Sequence, residues 1–127
     1  MQNQTQPTGN QDFFNRIWQH FVVEKHPVCR MPSGRCLYRI DNNGCAVGCV
    51  IPDNLAKDAD RSIDAAIGSI ITEQAGLADW LHNVDIELLK EAQAAHDGIS
   101  SPDQTSAFEL NFTSLAERFG LTVPNAH

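Results

Sequence analysis

Apolar residues recur along this chain at two periods, and the two periods divide it into helices and one candidate ribbon. Phe13, Ile17, Trp18, Phe21 and Val22 fall at i, i+4, i+5, i+8 and i+9, a stripe that predicts a helix over residues 12–25. Pro27 stops it, because the residue before a proline is pushed out of the α region. "HPVCRMPSG" then reads as a loop punctuated by Pro27, Pro32 and Gly34.

The period changes to two in "RCLYRIDNNGCAVGCVIPD", residues 35–53. Cys36, Tyr38 and Ile40 alternate with Leu37 and Arg39, and Cys45, Val47, Cys49 and Ile51 alternate with Ala46, Gly48 and Val50. Around Asp41-Asn42-Asn43-Gly44 these runs predict a β-hairpin over residues 36–40 and 45–51. A four-residue loop would set Cys36 opposite Cys49. An Asn43-Gly44 turn would instead set Tyr38 opposite Cys49. In both registers Cys36, Cys45 and Cys49 share one face, which must pack on helices because a lone hairpin is marginal in water.

Helical spacing returns after Pro52. Asp60 or Ser62 can cap a helix carrying Ile63, Ile67, Ile70 and Ile71, with Gly76 placed as its C′ glycine. "LADWLHN" reads as a short helical turn. Asp85 is placed to cap a helix with Ile86, Leu89, Ala92 and His96 on its buried side and Gly98 at its end. Phe108, Phe112, Leu115, Ala116 and Phe119 predict a last helix over residues 106–119, closed by Gly120 and Leu121 in a Schellman end. Residues 1–11, rich in Gln, Asn and Thr, read as a disordered tail, and residues 12–127 as a single globular domain. The expected fold is mainly α (α+β): four or five helices packed around one β-hairpin.

Composition narrows the class. Apolar content of 42% and charged content of 20% are those of a soluble globule. No stretch approaches the ~20 apolar residues of a membrane span, and the N-terminus lacks the basic and apolar regions of a secretory signal. A cytoplasmic location without a disulfide framework is the expectation. The net charge is −7, unevenly spread: residues 1–50 hold five Lys/Arg against three Asp/Glu, residues 51–127 four against thirteen. Direct nucleic-acid binding is not expected of such a chain, because phosphate neutralisation requires a basic surface. Two candidate binding faces follow. Arg30, Arg35 and Arg39, with Lys25, form a basic cluster suited to an anion; Asp79, Asp85, Glu87 and Glu91, with Asp97, form an acidic helical face suited to a basic protein.

The four cysteines admit three chemistries. Cys29, Cys36, Cys45 and Cys49 lie within 21 residues, with His20 and His26 nearby, and four thiolates can enclose zinc, although the C-x-x-C knuckle is absent. A nucleophilic thiol would need a base such as His26, His82 or His96; His96, on its helix stripe, reads as a structural side chain. The third reading makes Cys36, Cys45 and Cys49 small core residues, Ala46 and Gly48 allowing close approach of a helix, and needs no cofactor. Trp18 and Trp80 read as core or interface anchors. No phosphate-binding glycine loop, H-E-x-x-H, G-x-S-x-G or EF-hand pattern occurs, so no catalytic residue is assigned.

"RCLYRIDNNGCAVGCVIPD", with "LLKEAQAAHD" and the final "LAERFGL", resembles a family of small uncharacterised proteins of bacteriophages and bacterial genomes. Their pattern is a C-x-Y strand, a glycine turn and a "CAVGCLIPD"-like segment between an amphipathic N-terminal helix and a helical C-terminal part; Val50 here replaces the usual leucine. The likeness spans roughly residues 13 to 121. It implies a phage-related accessory protein of the host cytoplasm and carries no catalytic residues. Together with the acidic half, it leads to the expectation of a non-enzymatic protein that binds, and can inhibit, a host protein, for example a basic nucleic-acid-handling one. The alternative is a cysteine-dependent enzyme, or a zinc-stabilised binder of a small anion at Arg30, Arg35 and Arg39.

Overall fold

The structure, a computed structural model, describes residues 5–29, 39–40, 43–60, 75–100 and 102–124. Among them the chain is mainly helical: α1 (Asn10–Trp18) runs on into a π turn (Gln19–Val23), β1 (Arg39–Ile40) pairs with β2 (Asn43–Gly44), a 3₁₀ turn (Gly48–Val50) leads into α2 (Asp53–Asp60), and α3 (Ala75–Trp80), α4 (Ile86–Asp97) and α5 (Gln104–Phe119) follow.

The apolar stripes do the packing. Phe13, Phe14, Ile17 and Phe21 from α1 and its π turn meet Leu88, Leu89, Ala92 and His96 of α4 and Phe108, Phe112, Leu115 and Ala116 of α5 in one core. Phe21 lies at its centre, stacked on Phe108 at 4.4 Å and tilted against Phe112 at 6.0 Å. Burying rings of this size contributes about 2–3 kcal/mol each. Phe119 is only partly buried at the rim. Ile86, expected inside, is exposed: the buried phase of α4 is set by Leu88 and Leu89, which turns the first residue of the helix outward.

The expected ribbon is corrected. Pairing is antiparallel but two residues long, Arg39 with Gly44 and Ile40 with Asn43, so Asn43 and Gly44 belong to the ladder and not to the turn. Residues 36–38 lie outside the described residues. Residues 45–51 form no strand: Cys49 N–H donates to Cys45 O at 2.9 Å and Val50 N–H to Val47 O at 3.1 Å. Cys45, Ala46, Val47, Val50 and Ile51 are all fully buried, so both sides of the segment face protein. Period-2 alternation signals a strand with one wet face; a short apolar run buried all round carries no such signal. Side chains from elsewhere meet its backbone groups. Trp80 Nε1–H donates to Val50 O at 2.9 Å, and Val47 N–H donates to Gln93 Oε1 at 3.2 Å.

The chain ends differ from expectation too. Residues 5–11 are not a free tail: the helix starts at Asn10, Gln6 Nε2–H donates to Asp79 O at 2.8 Å, and Gln11 brackets Thr122 through two 2.8 Å hydrogen bonds. Gly76 lies inside α3 rather than after a helix, and a Cβ there would stand 3.3 Å from Leu55. The helix expected over Ile63 to Ile71 falls outside the described residues. At the C-terminus the Schellman end is present, with Gly120 at φ 66° and Leu121 N–H donating to Ala116 O at 2.8 Å. No helix among the described residues is long and apolar enough to cross a membrane.

Candidate functional site

The acidic face is built on α3, α4 and the turn between them. Asp85 precedes α4 but does not cap it with its side chain. Its carboxylate accepts from Asn10 Nδ2 at 3.0 Å, while its own N–H donates to Asn10 Oδ1 at 2.9 Å, so the acid clamps α4 to the start of α1. Six residues further on, Glu91 accepts from Arg118 of α5 at 2.7 Å. Glu87 faces Lys90 at a looser 3.5 Å. Asp79 is exposed, and it is its backbone carbonyl that Gln6 and His82 engage. Asp97 accepts from Gln93 at 3.1 Å and from His96 at 2.7 Å. The five acids therefore divide: Asp85, Glu91 and Asp97 hold the fold, whereas Asp79 and Glu87 present charge outward. Over residues 75–124 eight carboxylates stand against two cations, Lys90 and Arg118.

The basic cluster is not assembled among the described residues. Arg30 and Arg35 lie outside them, and of Arg39 the backbone pairing in β1 is described.

The described thiols, Cys29, Cys45 and Cys49, carry no disulfide. They do not converge as ligands: Cys29 Sγ–H is directed at Asn43 O, Cys49 Sγ–H at Ala46 O, and Cys45 Sγ accepts from Gly48 N–H. Burial, foremost, pushes the Cys45 thiol well above its usual range, the opposite of what a nucleophile needs. Cys36 falls outside the described residues.

A different group does converge. Ligand atoms of His20, Glu24 and His26 all lie within 4.8 Å of one another. Three local features place them. The π turn shifts His20 and Glu24 from ordinary helical register, as single π turns at functional positions often do. Lys25 takes a left-handed conformation, φ 61°, which reverses the chain. His26 N–H then donates to His20 O at 3.1 Å, and the two imidazoles stack 3.9 Å apart and nearly parallel. Asn43 joins from β2: its Nδ2–H donates to Pro27 O at 2.8 Å, so Oδ1 is the atom that faces His20 Nε2 at 2.8 Å. His20 Nε2 therefore carries a proton. His26 Nε2 lies 3.1 Å from Glu24 Oε1. A hydrogen bond from Gln19, chiefly, holds the Glu24 carboxyl below its ordinary value against some desolvation. In the sequence His20 and His26 stand out only as neighbours of the thiols. H-x3-E-x-H was the available signal, but at that spacing a regular helix would send His26 to another face.

No family model matches the chain, and no curated protein or solved structure matches it.

Proposed function

We propose that the protein acts by occupying a partner rather than by catalysis, and that the partner is a basic, nucleic-acid-handling host protein met by the acidic face around α3 and α4. The observation that carries the reading is the outward display of Asp79 and Glu87 beside a helical layer with eight carboxylates and two cations. Such a field steers a cationic surface and raises the association rate more than the final affinity. Of the two thiols a cysteine enzyme would use, Cys29 or Cys36, Cys29 is buried, which weighs against it as a nucleophile; Cys36 lies outside the described residues. The likeness of "CAVGCVIPD" to small phage and bacterial proteins supplies the context of a phage-related accessory factor, with inhibition as the consequence of occupying the partner's basic surface.

The test is a double charge reversal, Asp79→Lys with Glu87→Lys, because neither side chain joins two helices, whereas reversing Glu91 would set a lysine against Arg118. Capture from host lysate by the native chain should retain a basic protein that salt releases, and the double variant should not retain it. Retention of the same protein by the double variant, with loss on Arg35→Ala and Arg39→Ala, would overturn the reading in favour of the basic cluster.

A further inference from the structure

We propose that His20, Glu24 and His26 form a binding site for a borderline divalent transition ion of the zinc class, held by two imidazole nitrogens and one carboxylate oxygen with a water in the remaining position. The donor set selects the ion. Calcium and magnesium are held by oxygen ligands alone, whereas imidazole suits zinc and its neighbours. Two histidines with one glutamate is an established zinc donor set that leaves one position open.

The spacing of the ligand atoms is close to what the ion requires, and the ring orientation must adjust. Bonds of about 2.0–2.1 Å at a tetrahedral angle place two ligand atoms roughly 3.4 Å apart. His26 Nε2 and Glu24 Oε1 are already 3.1 Å apart, and all three ligand atoms fall within 4.8 Å. An ion takes the place of the proton between His26 and Glu24, and the stacked imidazoles of His20 and His26 splay apart so that their in-plane lone pairs turn toward one point. Asn43, its amide oriented by Pro27 O, holds His20 through a 2.8 Å hydrogen bond at Nε2. An outer hydrogen bond of this kind orients a metal-binding imidazole. Glu24, half-exposed, supplies a carboxylate oxygen and an entry path. The left-handed Lys25 is a strained conformation for a residue with a Cβ, and its consequence is the return of His26 over His20.

Isothermal titration of the chelator-treated full chain with zinc chloride tests the site, and cobalt chloride gives its spectrum. The expected result is one ion per chain, a rise in melting temperature with zinc, and cobalt d–d bands without thiolate charge transfer. Glu24→Gln and His26→Gln should each weaken zinc binding by more than about tenfold, and Asn43→Ala by roughly tenfold, with circular dichroism unchanged and Cys36→Ser and Cys49→Ala without effect. The proposal is overturned if zinc fails to bind below millimolar concentration. Thiolate charge transfer that disappears with Cys36→Ser would equally reject it, as would magnesium binding as tightly as zinc.

Discussion

His96, fully buried on α4, accepts a 3.0 Å hydrogen bond at Nε2 from the backbone N–H of Cys29, 67 residues earlier. Since that nitrogen accepts, the ring proton is on Nδ1, which donates to Asp97 at 2.7 Å. The histidine that sequence offered as a possible general base is thus committed on both nitrogens. It ties the loop after α1 to the helical layer and packs its ring against Phe21 and Phe108.

Removing that tie should be costly. His96→Ala takes the acceptor from a buried N–H and opens a cavity beside Phe21, and should destabilise the fold by about 3 kcal/mol. Urea unfolding checks this; a change below about 1 kcal/mol would mean that the loop is held by other contacts.

At Gly120 backbone geometry dictates the residue. Its φ of 66° lies in the left-handed region and nothing stands within 4 Å of a Cβ there, so Gly120→Ala should cost about 1 kcal/mol through strain alone. The same substitution at Gly98, which is right-handed and whose Cβ would stand 3.3 Å from Ala94 O, should cost by contact rather than by conformation. Paired thermal melts separate the two.

Stability should fall on the acid side. Hydrogen bonds from Gln19 to Glu24, and from Ser106 to Asp103, hold both carboxyls below their ordinary values of 4.5 and 3.8. A carboxyl depressed in the folded state contributes stability that is fully present above its unfolded value and is lost as pH falls through its folded one. The decline should therefore begin below about pH 4.5 and steepen below 3.8. Glu24→Gln and Asp103→Asn should each flatten it in urea midpoints measured from pH 7 to 3.

Cys45 should be inert toward iodoacetamide at neutral pH, since burial both blocks the reagent and suppresses the thiolate. Half-buried Cys49 should label first among the three described thiols, and Cys45 only together with global unfolding. Mass-spectrometric mapping of partial labelling reads this order. Labelling of Cys45 faster than a model thiol would overturn its reading as a core residue, and Cys29 or Cys36 reacting far faster than free cysteine would restore the enzyme alternative.

Sequence by itself determined what depends on neighbours a few residues away. The stripes Phe13–Ile17–Phe21 and Phe108–Phe112–Leu115 place helices because side chains at i, i+3 and i+4 share a face whatever lies opposite. Gly120 marks a helix end because only its own φ is at issue. Tertiary structure alone decided the rest. The run from Cys45 to Ile51 turns instead of extending because Trp80 and Gln93, far along the chain, meet its backbone groups. Asp85 clamps Asn10 rather than capping its own helix because α1 lies within reach. His20, Glu24 and His26 meet because the π turn and the left-handed Lys25 depart from helical register, and Asn43 comes to them from another strand. Hydrophobic period carries no record of a register shift or of a hydrogen-bond partner dozens of residues away.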